Sequence, residues 1–143
     1  MNATLTRFGY PHANVREYDH WVVLIRPVQP TPLSCVIAAR AEVESLGALS
    51  RAAAGELPEV IRAFEATVRV LAPAQKFNYL ALMMVDPNPH FHALPRYADS
   101  VRLGGIDYRD ELFPKPPDVL RGLVVDAPTL AQWQAWLAAH WRN

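Results

Sequence analysis

The residues of this chain best suited to chemistry are two closely spaced histidines, His90 and His92, in the run Asn-Pro-His-Phe-His-Ala-Leu-Pro-Arg-Tyr at 88–97. Alternate side chains of a β-strand point to the same face, so Asn88, His90 and His92 are predicted to form one polar row. Phe91 then points to the opposite face and anchors the strand in a core. A polar row of imidazoles backed by an apolar residue can present chemistry to a pocket while the strand stays anchored.

The two histidines also fit a simpler interpretation, as two exposed polar residues on an ordinary edge strand. The elements predicted around them help to distinguish the two interpretations. Runs rich in β-branched and aromatic residues predict an antiparallel pair of strands at 20–26 and 34–39. Two further strands are predicted at 76–84 and 90–94, with a tight proline-containing turn between them. The first 19 residues show no clear pattern and are expected to be an irregular arm.

Helical spacing of apolar residues predicts a long helix between the second and third strands. This helix begins either at Ser50, a suitable N-cap, or near Gly55, because Pro58 interrupts the stretch. A C-terminal helix is predicted to begin near Asp126 or Thr129. Weak strands are expected between these helices, at 101–103 and 106–108.

Composition limits the classes of protein that the chain can form. With 143 residues, 51% of them hydrophobic, it is predicted to fold as a single domain, 1–143. The formal net charge is zero, so a broad basic surface for a nucleic acid polymer is not expected. The single cysteine, Cys35, excludes an internal disulfide. No leader-like or membrane-spanning run is present, so we expect a cytoplasmic protein without a membrane partner.

The histidine strand resembles the signature of the histidine triad family of nucleotide hydrolases and transferases. In that family three histidines alternate with apolar residues, and a Pro-Arg pair often follows. When the ending Ala-Leu-Pro-Arg of residues 93–96 is aligned, His92 matches the third histidine and His90 the central one. Asn88 occupies the place of the first. The resemblance covers about residues 18–97 and leaves a C-terminal extension, 98–143.

The resemblance implies an α+β fold with a twisted antiparallel sheet of about five strands, one main helix and a C-terminal helical tail. It also implies a homodimer that binds a small-molecule nucleotide, with no cofactor and no metal. His90 would attack the nucleotide phosphorus to form a nucleotidyl-histidine, and His92 would donate to the phosphate. The bond cleaved is a phosphoester, phosphoanhydride or phosphoramidate. The alternative is a non-catalytic nucleotide-binding or regulatory homodimer that retains the fold.

Two departures from the family pattern bear on substrate binding. Asn88 can donate a hydrogen bond in place of the first imidazole, but it cannot titrate. The turn before the histidines lacks the glycine-rich, phosphate-binding sequence of many relatives. Arg26 and Arg96 are the candidates to hold the phosphate instead, although each also fits a solvated arginine. Asn78 fits either a substrate-binding residue or a buried amide that stabilises the fold.

Overall fold

The computed structural model describes all 143 residues and contains seven β-strands and three α-helices. Residues 98–143 include the last two strands and the last helix. In chain order the elements are α1 (Ala3–Arg7), β1 (Asn14–Glu17), β2 (Trp21–Ile25), β3 (Cys35–Ala39), α2 (Arg51–Leu71), β4 (Lys76–Leu80), β5 (His90–Arg96), β6 (Val101–Leu103), β7 (Ile106–Tyr108) and α3 (Ala127–Ala139).

Five of the strands form one antiparallel sheet in the order β1-β2-β3-β5-β4, and β6 pairs with β7 in a separate hairpin. Strand β5 therefore lies inside the sheet, between β3 and β4. Its register places Ala38 opposite His90 and Val36 opposite His92 on β3, and Leu80 opposite His92 on β4. The predicted α+β fold, with five antiparallel strands, a main helix and a C-terminal helix, is confirmed.

The two faces of the sheet are covered by different parts of the chain. One face packs against α2 and α3 in the main core, which includes Trp21, Phe64 and Trp133. The other, which we call the histidine face, is the side of β2, β3 and β5 that carries Val22, Leu24, Val36, Ala38, His90, His92 and Leu94. Its apolar residues pack against Leu5, Phe8, Tyr10 and Ala13. The N-terminal segment, residues 1–13, is thus the cover of the histidine face.

The long helix begins at the first of the two predicted starts. The Ser50 hydroxyl accepts a hydrogen bond from the backbone N–H of Ala53 at 3.1 Å, which caps the helix. The helix then runs through Gly55 and Pro58 to Leu71, so a start near Gly55 is wrong. The buried stripe of its C-terminal part, which contains Val60, Phe64 and Val68, supplies the packing that outweighs the hydrogen bond lost at proline.

The C-terminal helix follows the predicted signals. The Asp126 carboxylate accepts a hydrogen bond from the backbone N–H of Thr129 at 2.8 Å, and Pro128 lies in the first turn. Hydrogen bonding to the side chain of Thr129, and to its backbone N–H, lowers the pKa of the exposed Asp126 carboxyl. None of the helices is long and apolar enough to cross a membrane.

Two stretches differ from the sequence predictions. The arm predicted as irregular contains α1, which is capped by the Asn2 side chain, and the edge strand β1. The strand predicted at 76–84 ends at Leu80. Beyond Leu80 the chain leaves the sheet, and Met84 and Val85 are exposed. Elements of four or five residues are too short to show the periodicity on which sequence prediction depends.

Candidate functional site

The two histidines lie next to each other on the histidine face, near the start of β5. The centroids of their rings are 5.1 Å apart and the ring planes are nearly perpendicular. Both are buried, with 2% of His90 and 8% of His92 exposed. Phe91 points the other way, packs against the main core and lies 6.1 Å from the ring of Trp21. The alternation that the sequence predicts is therefore present in the strand.

The imidazole of His90 has a defined tautomer. Its Nδ1 lies 2.8 Å from the backbone carbonyl oxygen of Asn88. A carbonyl can only accept, so Nδ1 must carry the proton and donate it. In the neutral ring the lone pair then belongs to Nε2, which makes no hydrogen bond within the protein. This hydrogen bond fixes both the tautomer and the angle of the ring, as a nucleophilic imidazole requires.

The imidazole of His92 is uncharged at neutral pH. Burial, the nearby positive charge of Arg26 and the neighbouring His90 together lower the pKa of His92 to about 4. Its Nδ1 is buried and has no hydrogen-bond partner. A buried nitrogen without a partner usually costs free energy, so His92 keeps an unused hydrogen-bonding atom on this face.

Arg26 directly follows β2 and continues the histidine face, because its backbone N–H pairs with the carbonyl oxygen of Ser34 at 3.1 Å. One guanidinium nitrogen, Nη1, is buried without a partner, and Nη2 makes only a long 3.4 Å contact with the carbonyl oxygen of Val119. Burial lowers the pKa of Arg26, and no carboxylate pairs with it. The face therefore holds an uncompensated positive charge near His92.

A phenylalanine that sequence reasoning missed covers both histidines. The ring centroid of Phe8 lies 5.3 Å from that of His90 and 5.8 Å from that of His92. The segment that carries it is held by an ion pair between Arg7 and Asp86, at 3.1 Å. Phe8 lies 82 residues before His90, and nothing in the local sequence marks it as a site residue.

Asn88 is used to hold this cover in place. Its side-chain oxygen accepts hydrogen bonds from the hydroxyl and the backbone N–H of Thr4, at 3.0 and 3.4 Å. Its side-chain nitrogen donates to the carbonyl oxygen of Val43 at 2.9 Å. The side chain of Asn88 therefore joins the N-terminal segment to the sheet, and its backbone carbonyl orients His90.

Comparison with solved structures identifies this architecture. A histidine triad protein from Bradyrhizobium japonicum superposes with a TM-score of 0.72 over 99% of this chain and 97% of its own, at 17% identity. A histidine triad protein from Sinorhizobium meliloti 1021 has a TM-score of 0.71 over 98% and 95% of the two chains, at 15% identity. The chain has the histidine triad fold. A hypothetical histidine triad nucleotide-binding protein from Sulfolobus tokodaii strain 7 is also similar, with a TM-score of 0.65 over 90% and 82% of the chains, at 13% identity.

The sequence itself carries no such match. No family model matches the chain, and no curated protein is similar to it in sequence. The similarity to histidine triad proteins therefore lies in the arrangement of the elements, at only 13–17% sequence identity to the three solved structures named above.

The other two predicted binding residues, Arg96 and Asn78, contact each other beside this histidine triad fold's last two sheet strands. Arg96 forms two hydrogen bonds with the Asp110 carboxylate, at 2.6 and 3.1 Å, and a third with the side-chain oxygen of Asn78 at 2.7 Å. The side chains of Arg96 and Asp110 are 3% and 4% exposed. This buried cluster attaches the C-terminal extension to β4 and β5 and takes up the guanidinium of Arg96. Only the side-chain oxygen of Asn78 takes part in it, and Asn78 also lines a cavity on the same side of the sheet.

A cavity opens at the β4 side of the histidine face. It has a volume of about 310 Å³, and its lining includes Leu80, which is paired with His92 across the two strands, and the exposed Lys115. The remaining lining consists of Asn78, Tyr79, Pro114, Pro116 and Pro117. No group of three or more histidine, cysteine or acidic side chains comes together as a metal site.

The low pKa of His92 predicts a loss of stability in weak acid. An unfolded histidine binds a proton near pH 6.5, whereas the folded one does so only near pH 4. Between these values the unfolded state binds more protons, so the free energy of unfolding falls as the pH drops from about 6.5 to 4. We expect a loss on the order of 2 kcal/mol from this residue, measured by urea unfolding at several pH values.

The matched variant is His92→Gln, which cannot titrate. In this variant the free energy of unfolding should change less between pH 6.5 and 4 than it does in the wild type, whatever the stability of the variant at neutral pH. Identical slopes for the two proteins would contradict the assignment of a buried, neutral His92.

Proposed function

We propose that the protein is a nucleotide hydrolase or transferase that works through a nucleotidyl-histidine on His90. The observation that carries this proposal is the 2.8 Å hydrogen bond from Nδ1 of His90 to the Asn88 carbonyl oxygen, which leaves Nε2 with a free lone pair. A positively charged group without a counter-ion, Arg26, lies on the same face. A nucleophile beside an uncompensated positive charge suits attack on a phosphate ester or anhydride.

The proposed reaction has two steps. The Nε2 lone pair of His90 attacks the α-phosphorus of a nucleotide, and the bond from phosphorus to the leaving group breaks. The ring becomes positively charged, and this charge is stabilised by the hydrogen bond from Nδ1–H to the Asn88 carbonyl. Water or another acceptor then attacks the phosphorus and loses its proton to solvent, while the P–N bond breaks and its electron pair returns to Nε2.

The neighbouring residues have distinct roles in this proposal. Arg26 stabilises the negative charge on the non-bridging oxygens in the transition state. His92, as a neutral imidazole, donates one hydrogen bond to the same phosphate. Phe8 must move away from both rings, or shift so that a nucleotide base packs against it, before the phosphate can reach Nε2.

The experiment that tests the proposal detects both product and intermediate. The protein is incubated with a panel of adenylyl and guanylyl conjugates, and released monophosphate is measured by chromatography. Samples are also quenched in base, because phosphorus–nitrogen bonds to histidine survive alkali, and the mass added to the peptide that contains residues 88–97 is determined. Release of monophosphate together with a nucleotidyl group on His90 is expected. Absence of both from every conjugate would refute the proposal.

A second candidate function is a nucleotide-binding protein without catalysis. The observation that favours it is the cover over the histidines, since Phe8 packs on both rings and Asn88 is bonded to Thr4 rather than exposed to substrate. In that case nucleotide monophosphates should bind, as measured by calorimetry, while no conjugate is cleaved. A Phe8→Ala variant that binds more tightly and still releases no monophosphate would favour this function over the enzyme.

We also propose that the chain forms a homodimer. Strand β4 is an edge strand with unpaired backbone groups on its outer side, and the residues just beyond it include the exposed Leu82, Met84 and Val85. Light scattering is expected to give about twice the chain mass of 16.0 kDa. A Met84→Glu variant should shift the equilibrium toward monomer. The matched change at another exposed apolar residue, Val124→Glu, should not. A monomer at all accessible concentrations would contradict the dimer.

A further inference from the structure

The N-terminal segment that covers the histidine face is held to the sheet mainly by polar contacts. Leu5 is its only buried apolar side chain, with 3% exposed. The side-chain nitrogen of Asn2 donates to the carbonyl oxygen of Ala39 at 2.8 Å, and Arg7 forms an ion pair with Asp86. Hydrogen bonds and exposed ion pairs contribute less net free energy than buried apolar surface. The segment is therefore attached less firmly than the strands beneath it.

One of these attachments joins the segment directly to the row of the histidines. The Thr4 hydroxyl donates to the side-chain oxygen of Asn88 at 3.0 Å and accepts from the backbone N–H of Asn88 at 3.1 Å. Thr4 is 1% exposed and Asn88 is 6% exposed. Because a buried polar group that loses its partner costs free energy, this pair opposes any separation of the segment from the sheet. The residue whose carbonyl orients His90 thus also holds the cover in place.

The segment has boundaries that allow it to detach while the sheet stays intact. Its helix, α1, has five residues, too few to be stable without the sheet. Gly9 follows with a φ of +91°, in the left-handed region that favours glycine. The chain rejoins the sheet at Ala13, whose carbonyl oxygen accepts from the backbone N–H of Ile25 at 2.9 Å. Residues 2–8 therefore form a unit that can open locally before Gly9.

The closed arrangement shuts the histidines off from solvent. The ring of Phe8 packs on both imidazoles, and only 2% of His90 is exposed. A phosphate cannot reach Nε2 of His90 in this state. Closure also buries the apolar residues of the histidine face beneath the segment, which stabilises the closed state when no ligand is present. These residues are Val22, Leu24, Val36 and Ala38.

We propose that residues 2–8 are an autoinhibitory lid, closed at rest and latched by the Thr4–Asn88 pair, which opens by local unfolding before any ligand reaches His90. This inference rests on the proposed function for the kind of ligand that is held back, whereas the closure itself is tested without nucleotide. Since only open molecules bind, the open fraction reduces the apparent affinity of every ligand of His90. Weakening the latch therefore increases access to the site.

The first test is hydrogen exchange of the wild-type protein. The backbone N–H groups of Leu5 and Phe8 are bonded within the lid, to the Asn2 side chain and the Thr4 carbonyl. After correction for intrinsic rates, we expect them to exchange at least 10-fold faster than the N–H groups of β3, in the interior of the sheet. Exchange of the lid and β3 at one common rate would overturn the inference, because the lid would then open only when the whole domain unfolds.

The second test measures access to His90 itself. Diethyl pyrocarbonate acylates the free nitrogen of a neutral imidazole, and mass spectrometry gives the rate at His90 relative to the exposed His140. Thr4→Val keeps the shape of the side chain and removes its hydroxyl. We expect it to raise the relative rate at His90 by about 10-fold or more, since a buried hydrogen bond is lost and its partner is left unpaired. Thr6→Val makes the same change at an exposed position of α1 and should leave the rate unchanged.

The outcomes separate the lid from the proposed function. An unchanged rate at His90 in Thr4→Val would overturn the lid, and so would a rise matched by equally faster exchange throughout β3, which reports global destabilisation. Calorimetry with AMP then addresses the ligand. Binding that is tighter to Thr4→Val than to the wild type supports the lid and the nucleotide site together. Faster modification of His90 without AMP binding to either protein supports the lid and refutes the nucleotide function.

Discussion

Replacement of His90 by alanine is expected to abolish release of monophosphate, with a loss on the order of 10³-fold or more in kcat. The reason is that no other group on the histidine face can take over the attack. His92 is the nearest nitrogen base, but a pKa of about 4 makes its lone pair weakly nucleophilic. Its Nδ1 also lacks the hydrogen bond that fixes the tautomer of His90. The loss is measured in a single-turnover assay with the best conjugate of the panel.

Two further variants test whether the loss of activity is specific to His90. His92→Ala removes one donor to the phosphate and should retain activity at a level about 10²–10³ below the wild type. His140→Ala removes an exposed imidazole at the end of α3 and should leave the rate unchanged. Circular dichroism and thermal unfolding establish that each variant is folded. If wild type and His90→Ala release monophosphate at the same low rate while both bind nucleotide, the protein is a binding protein.

The row formed by His90 and His92 could be predicted from the sequence because its signal is local. Alternation over a few residues places His90 and His92 on one face whatever the rest of the fold does. The main helix is equally evident, since its apolar stripe repeats through several turns and Ser50 marks its start. The C-terminal helix carries its own signals in Asp126 and Pro128.

The residues that complete the site could not be predicted, because they come from distant parts of the chain. Phe8 belongs to the short N-terminal segment and covers histidines 82 and 84 residues later. Thr4 and Asn88 are 84 residues apart and become partners only once the sheet has formed. No periodicity in the sequence marks such contacts. The N-terminal partner in each contact is a single side chain, which lies either in a helix of five residues or just after it.

The ion pairing of the arginines could not be predicted from the sequence either. In the sequence Arg26 and Arg96 are alike. Each is a cation at the end of a predicted strand or just beyond it, and each could face a phosphate. Arg96 lies against the carboxylate of Asp110, one of 14 acidic residues in the chain, and Arg26 has no such neighbour. Which of the two arginines is left without a carboxylate partner depends on where the C-terminal extension places Asp110. The residues next to either arginine in the sequence do not indicate that position.

The Arg96–Asp110 pair leads to the largest expected effect on stability. Both side chains are nearly inaccessible to water, and the carboxylate accepts two hydrogen bonds from the guanidinium. Asp110→Ala leaves a buried positive charge whose remaining side-chain partner is Asn78. Removing one member of a buried ion pair costs about 3–5 kcal/mol, because the other charge stays uncompensated. We expect the free energy of unfolding in urea to fall by about this amount.

Two matched variants separate the cost of the unpaired charge from that of the lost carboxylate contacts. Asp107→Ala breaks the ion pair with Arg102 on the exposed hairpin, where both side chains are at least 70% exposed, and should change stability by no more than about 0.5 kcal/mol. The double variant Arg96→Met with Asp110→Leu removes both buried charges and should recover most of the loss caused by Asp110→Ala. If instead the double variant is as unstable as Asp110→Ala, the cluster contributes through its hydrogen bonds and packing at the junction of β4, β5 and the C-terminal extension. In that case Asn78, which contacts Arg96 and lines the cavity beside the histidines, would couple the stability of the extension to the shape of the site.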